Sequence, residues 1–269
     1  MAHRPLASSL RAERSVPVPS LSAALRWLII AAAAGAPVIL LAQPAGAGGD
    51  GFTFRRPALS ITVRGGYDRP MGRSDIYDFA TKQLTLNKRD FAAASYQVDL
   101  NVRVSERFDL GISGGEATRT SPSEFRNFID NNDQPIEQNT RLRRVPLTLG
   151  VKYALTAPGE RIGKFAWIPA RLTPWAGLGG GTMRYNFTQV GDFVDFQTLN
   201  VFTKEYTSEG WTPMAYVHLG ADLMLNTHFA LTGDLRYTTA RAPLSGAFVG
   251  FNKIDLSGTA ASMGLTLRY

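Results

Sequence analysis

The stretch Ala94-Ser95-Tyr96-Gln97-Val98-Asp99-Leu100-Asn101-Val102-Arg103-Val104 decides how this chain is read. Ala94, Tyr96, Val98, Leu100, Val102 and Val104 fall on one parity; Ser95, Gln97, Asp99, Asn101 and Arg103 fall on the other. Successive side chains of an extended strand point to opposite faces, so this alternation predicts a strand with one apolar and one polar face.

The pattern recurs. Leu59, Ile61 and Val63 oppose Ser60, Thr62 and Arg64, and Phe108, Leu110 and Ile112 oppose Asp109, Gly111 and Ser113. Val145, Leu147, Leu149, Val151, Tyr153 and Leu155 alternate with Arg144, Thr148, Gly150 and Lys152. Ala215 to Leu225, Phe229 to Tyr237 and Met263 to Tyr269 repeat it, and a Gly-rich aromatic segment, Leu172 to Tyr185, has faces the sequence does not assign. Eight strands are expected. Their links alternate between short (Ser105-Glu106-Arg107; Asn226-Thr227; a longer Thr156 to Ala170 carrying Pro158-Gly159) and long (68–91, 121–138, 186–210 and 239–253). A meander with both termini on one side and long loops on the other gives this order.

The polar face is not that of a soluble sheet. It carries Thr, Ser, Gly and Ala with isolated charges, as the interior of a narrow barrel requires. Arg64, Arg103, Arg144, Lys152, Arg236 and Arg268 can meet Asp99, Asp109, Asp222 and Asp234 across such a lumen, where buried charges must pair. Aromatic residues fall in two bands: Phe108, Tyr153, Phe229 and Tyr269 beside the short turns, and Tyr67, Tyr96, Tyr185, Trp211 and Tyr237 beside the long loops. Such bands flank the apolar belt of a membrane barrel. Pro146, Pro174 and Pro213 then need a rim or a bulge, because a closed barrel has no free edge. Asp255, Ser257 and Thr259 share the lipid-facing parity of the last strand, so that strand either leaves the membrane there or resets its parity at a bulge.

Ahead of the strands, Arg4, Arg11, Arg14 and Arg26 precede an apolar run from Trp27 to Ala42 and then Ala45-Gly46-Ala47. This is the layout of a secretory signal peptide, with a run short for a spanning helix. Residues 1–47 are read as that cleaved signal, 48–57 as a short periplasmic leader and 58–269 as the barrel. Removal of the signal takes the formal charge from +7 to +4. That is no nucleic-acid footprint, and the absence of Cys excludes disulfides, thiolate metal sites and cysteine nucleophiles.

The closing Met263-Gly264-Leu265-Thr266-Leu267-Arg268-Tyr269 resembles the terminal signature of outer-membrane barrels. That resemblance implies recognition of Met263, Leu265, Leu267 and Tyr269 by the barrel assembly machinery. Leu59 to Tyr67 and the segment Leu172-Thr173-Pro174-Trp175-Ala176-Gly177-Leu178-Gly179-Gly180-Gly181 are similar to strands of the outer-membrane-protein-A and -W type barrels. The likeness implies an outer-membrane location, outer-membrane lipid as the surroundings, and either a structural role or a narrow channel.

Chemistry is sparse. His218 lies on the inward parity, four residues from Asp222 and too far for a dyad, with Asp234 as a partner from a neighbouring strand. Lipid A deacylases on this scaffold use His-x-Ser, and position 220 here is Gly. Gly177 to Gly181 lacks the Gly-Lys-Ser/Thr of a phosphate loop, and Asp130-Asn131-Asn132-Asp133 lacks the spacing of an EF-hand. Phe187, Phe193, Phe196 and Phe202 give one long link an apolar content suited to packing, strand extension or a ligand surface.

The sequence therefore predicts an all-β fold, an eight-stranded antiparallel up-and-down transmembrane β-barrel. The expected function is a non-enzymatic outer-membrane barrel with a structural or surface-interaction role, its lumen plugged by charge pairs. A narrow channel for small or apolar solutes is the alternative, and a lipid-modifying enzyme a third. A monomer without a cofactor is expected.

Overall fold

The computed structural model describes residues 51–130, 133–164, 166–195 and 197–269. The expected signal peptide lies outside the described residues.

The alternating segments form strands β1 (Leu59–Pro70), β2 (Ala93–Arg103), β3 (Phe108–Ile129), β4 (Pro135–Ala154), β7 (Leu172–Val194), β8 (Val201–Met224), β9 (Phe229–Ala242) and β11 (Gly258–Arg268). Each pairs antiparallel with the next, and β11 returns to β1, so the sheet closes as a ring of eight. Between β4 and β7 lies a small hairpin, β5 (Gly159–Ile162) and β6 (Ala166–Pro169), and β10 (Ile254–Asp255) precedes β11. Stepping across the ladders from Ser60 through Asn101, Gly111, Gly150, Gly179, Tyr216, Thr238 and Gly258 returns to β1 at Pro70. The return lands ten residues along the strand, which tilts the strands about 40–45° and leaves an interior just wide enough for side chains.

The apolar parity faces outward. Leu149, Leu178, Leu219 and Leu235 are each at least 60% exposed, while inward neighbours such as Asp222 and Arg144 are nearly inaccessible. Tyr67, Tyr96, Trp211 and Tyr237 are exposed, but Tyr185 points inward and is buried, a correction to its place in the outer aromatic band. The one-residue difference in parity between Tyr185 and Arg184 decides this, and the Gly-rich segment concealed it.

Two of the expected long loops are strands. β3 and β4 meet near Asp130, and β7 and β8 near Asp195, so four strands of 20–24 residues rise above four of 11–14. The other long links fold inward. The first carries helix α1 (Asp75–Gln83), with Asp75 and Asp78 in its first turn and Lys82 in its last, signs that suit the helix dipole. Its Ile76, Tyr77 and Ala80 pack with Leu84, Leu86 and Phe91 into a core shared with Leu142, Met183, Phe187, Phe248, Ile254 and Leu256. Full burial of each Ile, Leu, Met or Phe among them is worth about 1.5–3 kcal/mol.

Ser74 leaves the cap of α1 unmade and instead accepts the Asp255 N–H at 3.0 Å, while the Tyr77 hydroxyl donates to the Asp255 carbonyl at 3.1 Å. The last strand has therefore left the membrane at Asp255 and Ser257, and the first link covers them, with the β9 register unbroken from β10 into β11. Pro174 sits near the end of β7 and Pro213 just beyond the last β8–β9 pair, Met214↔Ala240. At Pro146 the β3–β4 ladder skips between Gly114↔Leu147 and Ala117↔Arg144 without changing register. Burial pushes the Tyr77 phenol pKa above its ordinary value. Tyr77→Phe is expected to weaken docking of α1 by about 1 kcal/mol, read as roughly fivefold faster proteolysis of the 71–92 link.

Candidate functional site

The lumen is the candidate site, and strand parity builds it in tiers. At the short-turn end Asp222 accepts from Lys152 Nζ at 2.9 Å, an Arg268 guanidinium nitrogen at 2.7 Å, the Trp175 indole at 3.0 Å and the Thr232 hydroxyl at 2.9 Å. Lys152 also lies 4.3 Å from the Trp175 ring. Beside this group Arg103 and Asp109 pair at 2.9 Å, and Arg103 also holds the Pro57 carbonyl of the leader.

The middle tier centres on Arg64, which reaches Asp99 and Asp234 at 2.9 Å each. Asp234 in turn lies 2.9 Å from His218 Nδ1, and Gln97 donates to Asp99 at 2.8 Å. Among the described residues Arg236 has no carboxylate within 4.0 Å; its guanidinium lies 4.3 Å from the Tyr216 ring, a cation–π arrangement. Above them Arg144 pairs with Asp68 at 2.9 Å.

All ten charges read from the sequence thus face the lumen, and four groups complete them. Asp68 shares parity with Arg64, which marks it as a partner, but it falls at the start of the 68–91 link and so outside the strand pattern. Trp175 was hidden in the glycine-rich segment. Tyr216 and the hydrogen-bonded Thr62–Thr266–Thr232 chain carry no charge to mark them.

Two of the glycines in the lumen wall make room for one aromatic ring. The Tyr216 ring lies across Gly150 and Gly179, where any Cβ would collide with its hydroxyl. Gly177 to Gly181 runs inside β7 and opens no helix, so no phosphate cradle forms.

Besides a void of about 10 Å³ near Arg103 and Asp222, side chains leave voids of about 30 Å³ beside Trp175, Tyr216 and His218 and about 50 Å³ beside Asp68, Arg144 and Met183 in the described lumen. Arg64 and Arg236 line the two larger voids and lie between them. Each of these two has room for about two to four waters. His218 is enclosed by Trp175 and Tyr216, with ring centroids 4.8 and 5.1 Å away.

The loop aromatics are placed differently from a free ligand surface. Phe187 is fully buried in the upper core, packing there and leaving no ligand surface at this position, because its parity on β7 turns it inward. Phe193 packs against Phe202 at 6.1 Å and Tyr206 at 4.7 Å. Phe196 lies outside the described residues, as do Asn131 and Asn132 of the acidic turn, where Asp130 caps the Gln134 N–H. On the last strand Met263, Leu265 and Tyr269 face outward and exposed, with Leu267 half-buried.

No protein-family model and no curated protein matches the chain. Among solved structures it is similar to the outer membrane protein OprG from Pseudomonas aeruginosa, with 16% identity, 80% of this chain and 97% of that chain covered, and a TM-score of 0.41. It is also similar to Neisserial surface protein A, at 8% identity over 82% and 100% of the two chains with a TM-score of 0.41. The N-terminal β-barrel domain of Pseudomonas aeruginosa OprF matches at 13% identity over 80% and 100%, with a TM-score of 0.34. The closed ring of eight antiparallel ladders with an apolar exterior makes this chain an eight-stranded transmembrane β-barrel.

Proposed function

We propose that this chain is a non-enzymatic barrel of the outer membrane with a structural or surface-interaction role and a lumen closed to steady ion flow. The observation that carries the reading is the tiered filling of the lumen: voids of about 30 and 50 Å³ stand on either side of the Arg64–Arg236 layer, under an apolar core. A hydrated ion needs a continuous wet path, and voids for a few waters separated by a layer of buried side chains do not provide one. The void beside His218 is too small for a lipid or peptide substrate, which favours the non-enzymatic reading.

In this reading residues 1–47 are a cleaved export signal, outer-membrane lipid surrounds the belt, and the last strand is the segment recognised during assembly. The barrel acts as a monomer. The first test is single-channel recording of the purified barrel in planar bilayers. No steady conductance is expected. A reproducible open level would instead support the narrow-channel alternative, and turnover of labelled lipopolysaccharide or phospholipid would revive the enzyme reading.

A further inference from the structure

Between β4 and β7 the hairpin β5–β6 does not stand alone. Thr53 of the leader bridges Trp167 of β6: the Thr53 N–H donates to the Trp167 carbonyl at 3.0 Å, and the Trp167 N–H to the Thr53 carbonyl at 2.8 Å. The result is a small flap on the short-turn side, built from both ends of the barrel wall.

Its two faces differ. Directly opposed residues share a face, so Thr53 and Trp167 lie together, and Trp167 is 4% exposed beneath the Arg56 guanidinium. Arg56 in turn donates to the Glu106 carbonyl in the β2–β3 turn. The pairs Glu160↔Ile168 and Ile162↔Ala166 place those four residues on the opposite face. Phe52 and Phe54 flank Thr53 and pack edge to face at 5.8 Å. Phe54, Ile162 and Ile168 are 40–56% exposed, an open apolar surface interrupted by the single carboxylate of Glu160.

Around this face the charge is one-sided. Residues 51–269 hold 25 Lys and Arg against 20 Asp and Glu. Outside the lumen the short-turn side carries Arg55, Arg56, Arg107, Arg161, Lys164 and Arg171 with Glu106 and Glu160, an excess of four among these groups, with Arg56 and Arg161 on the Trp167 side of the flap and the others around it.

We propose that the apolar face of the flap rests on the inner leaflet of the outer membrane, with its basic rim on anionic phospholipid headgroups. The inference rests on the outer-membrane reading above. Continuity argues for lipid as the occupant: the hairpin leaves β4 at Ala154 and rejoins at Leu172, beside Tyr153 and the exposed Leu155 and Leu172 that end the lipid-facing belt. Tethered at both ends to that boundary, a surface of aromatic and aliphatic groups ringed by Arg and Lys has the composition of a membrane-interface element.

The chain has no Cys, so single labels are specific. Ile168→Cys, Leu219→Cys and Lys253→Cys would each carry a nitroxide on the full barrel. The vesicles would be phosphatidylcholine with and without phosphatidylglycerol, and collision rates with oxygen and with a water-soluble nickel chelate would report depth. Leu219 is expected in lipid and Lys253 in water in both vesicles, and Ile168 in lipid when phosphatidylglycerol is present. Each of Lys164→Gln and Arg171→Gln should weaken that anionic preference about fivefold. A water-exposed Ile168 label beside a lipid-exposed Leu219 label would overturn this inference alone, whereas a water-exposed Leu219 would overturn the barrel reading. Shielding of Ile168 only after adding peptidoglycan sacculi would assign the face to the cell wall instead, and equal shielding in both vesicles would remove the role of the basic rim.

Discussion

Asp222→Asn is expected to destabilise the barrel by about 3–5 kcal/mol, because it leaves the buried Arg268 and the partly buried Lys152 facing a neutral amide. The carboxylate is 2% exposed and takes donors from four strands, Lys152 on β4, Trp175 on β7, Thr232 on β9 and Arg268 on β11. An asparagine of nearly the same shape keeps the packing, so the loss reads charge and not volume. Lys152→Met should cost less, since Asp222 keeps Arg268 and its hydroxyl and indole donors. Urea unfolding of the barrel refolded into lipid vesicles, followed by the mobility difference between heated and unheated samples, measures both. A loss below about 1 kcal/mol for Asp222→Asn would mean that water or a counterion reaches this tier and that the lumen is wetter than its packing implies.

The second large effect is expected at Tyr216. Removing its ring by Tyr216→Ala opens a cavity between the polar tiers and the apolar core, at a cost of about 3–5 kcal/mol. Gly150→Ala should cost about 1–3 kcal/mol in the native barrel, because its methyl group meets the Tyr216 hydroxyl and, at 2.9 Å, the Leu178 carbonyl. Only the first contact disappears with Tyr216. In the Tyr216→Ala background Gly150→Ala should therefore cost less without becoming free, a coupling of about 1–2 kcal/mol in a double-mutant cycle. Additive losses would show that the glycine answers to the β4–β7 backbone alone.

Where lipid imposes strict alternation, the fold was legible. Leu147, Leu149 and Val151 must all face hydrocarbon, so the parity of Arg144, Thr148 and Lys152 followed with it. Pairing within the lumen was legible only as sign and parity, because which Arg meets which Asp depends on the ten-residue stagger, and stagger leaves no trace in one strand. Above the membrane the rule lapses. Phe187 and Tyr185 lie on strands that continue out of the bilayer, where the inner face turns apolar against α1 and a hydrophobicity pattern no longer separates inside from outside. The 121–138 and 186–210 links were read as loops for the same reason: strands exposed to water on one side carry Ser, Thr, Asn and Gln, the residues that also mark loops. Trp175 was lost because glycine on both faces of Leu172 to Tyr185 erased the contrast.

The unequal heights of the strands have a consequence for self-association. β3 rises past its last β2 partner at Ala117, and β8 past its last β9 partner at Met214, so each presents a stretch of backbone that no barrel strand covers. Bare edges of this kind template pairing with another chain. Here the folded links occupy them: Thr85 exchanges hydrogen bonds with Glu124 on β3, and Asp90 accepts from Ser121. On the other side Ser245 meets Ser208 and Glu209 on β8. The links at the mouth are thus also selvedges, finishing a cut sheet so that one barrel does not knit onto the next.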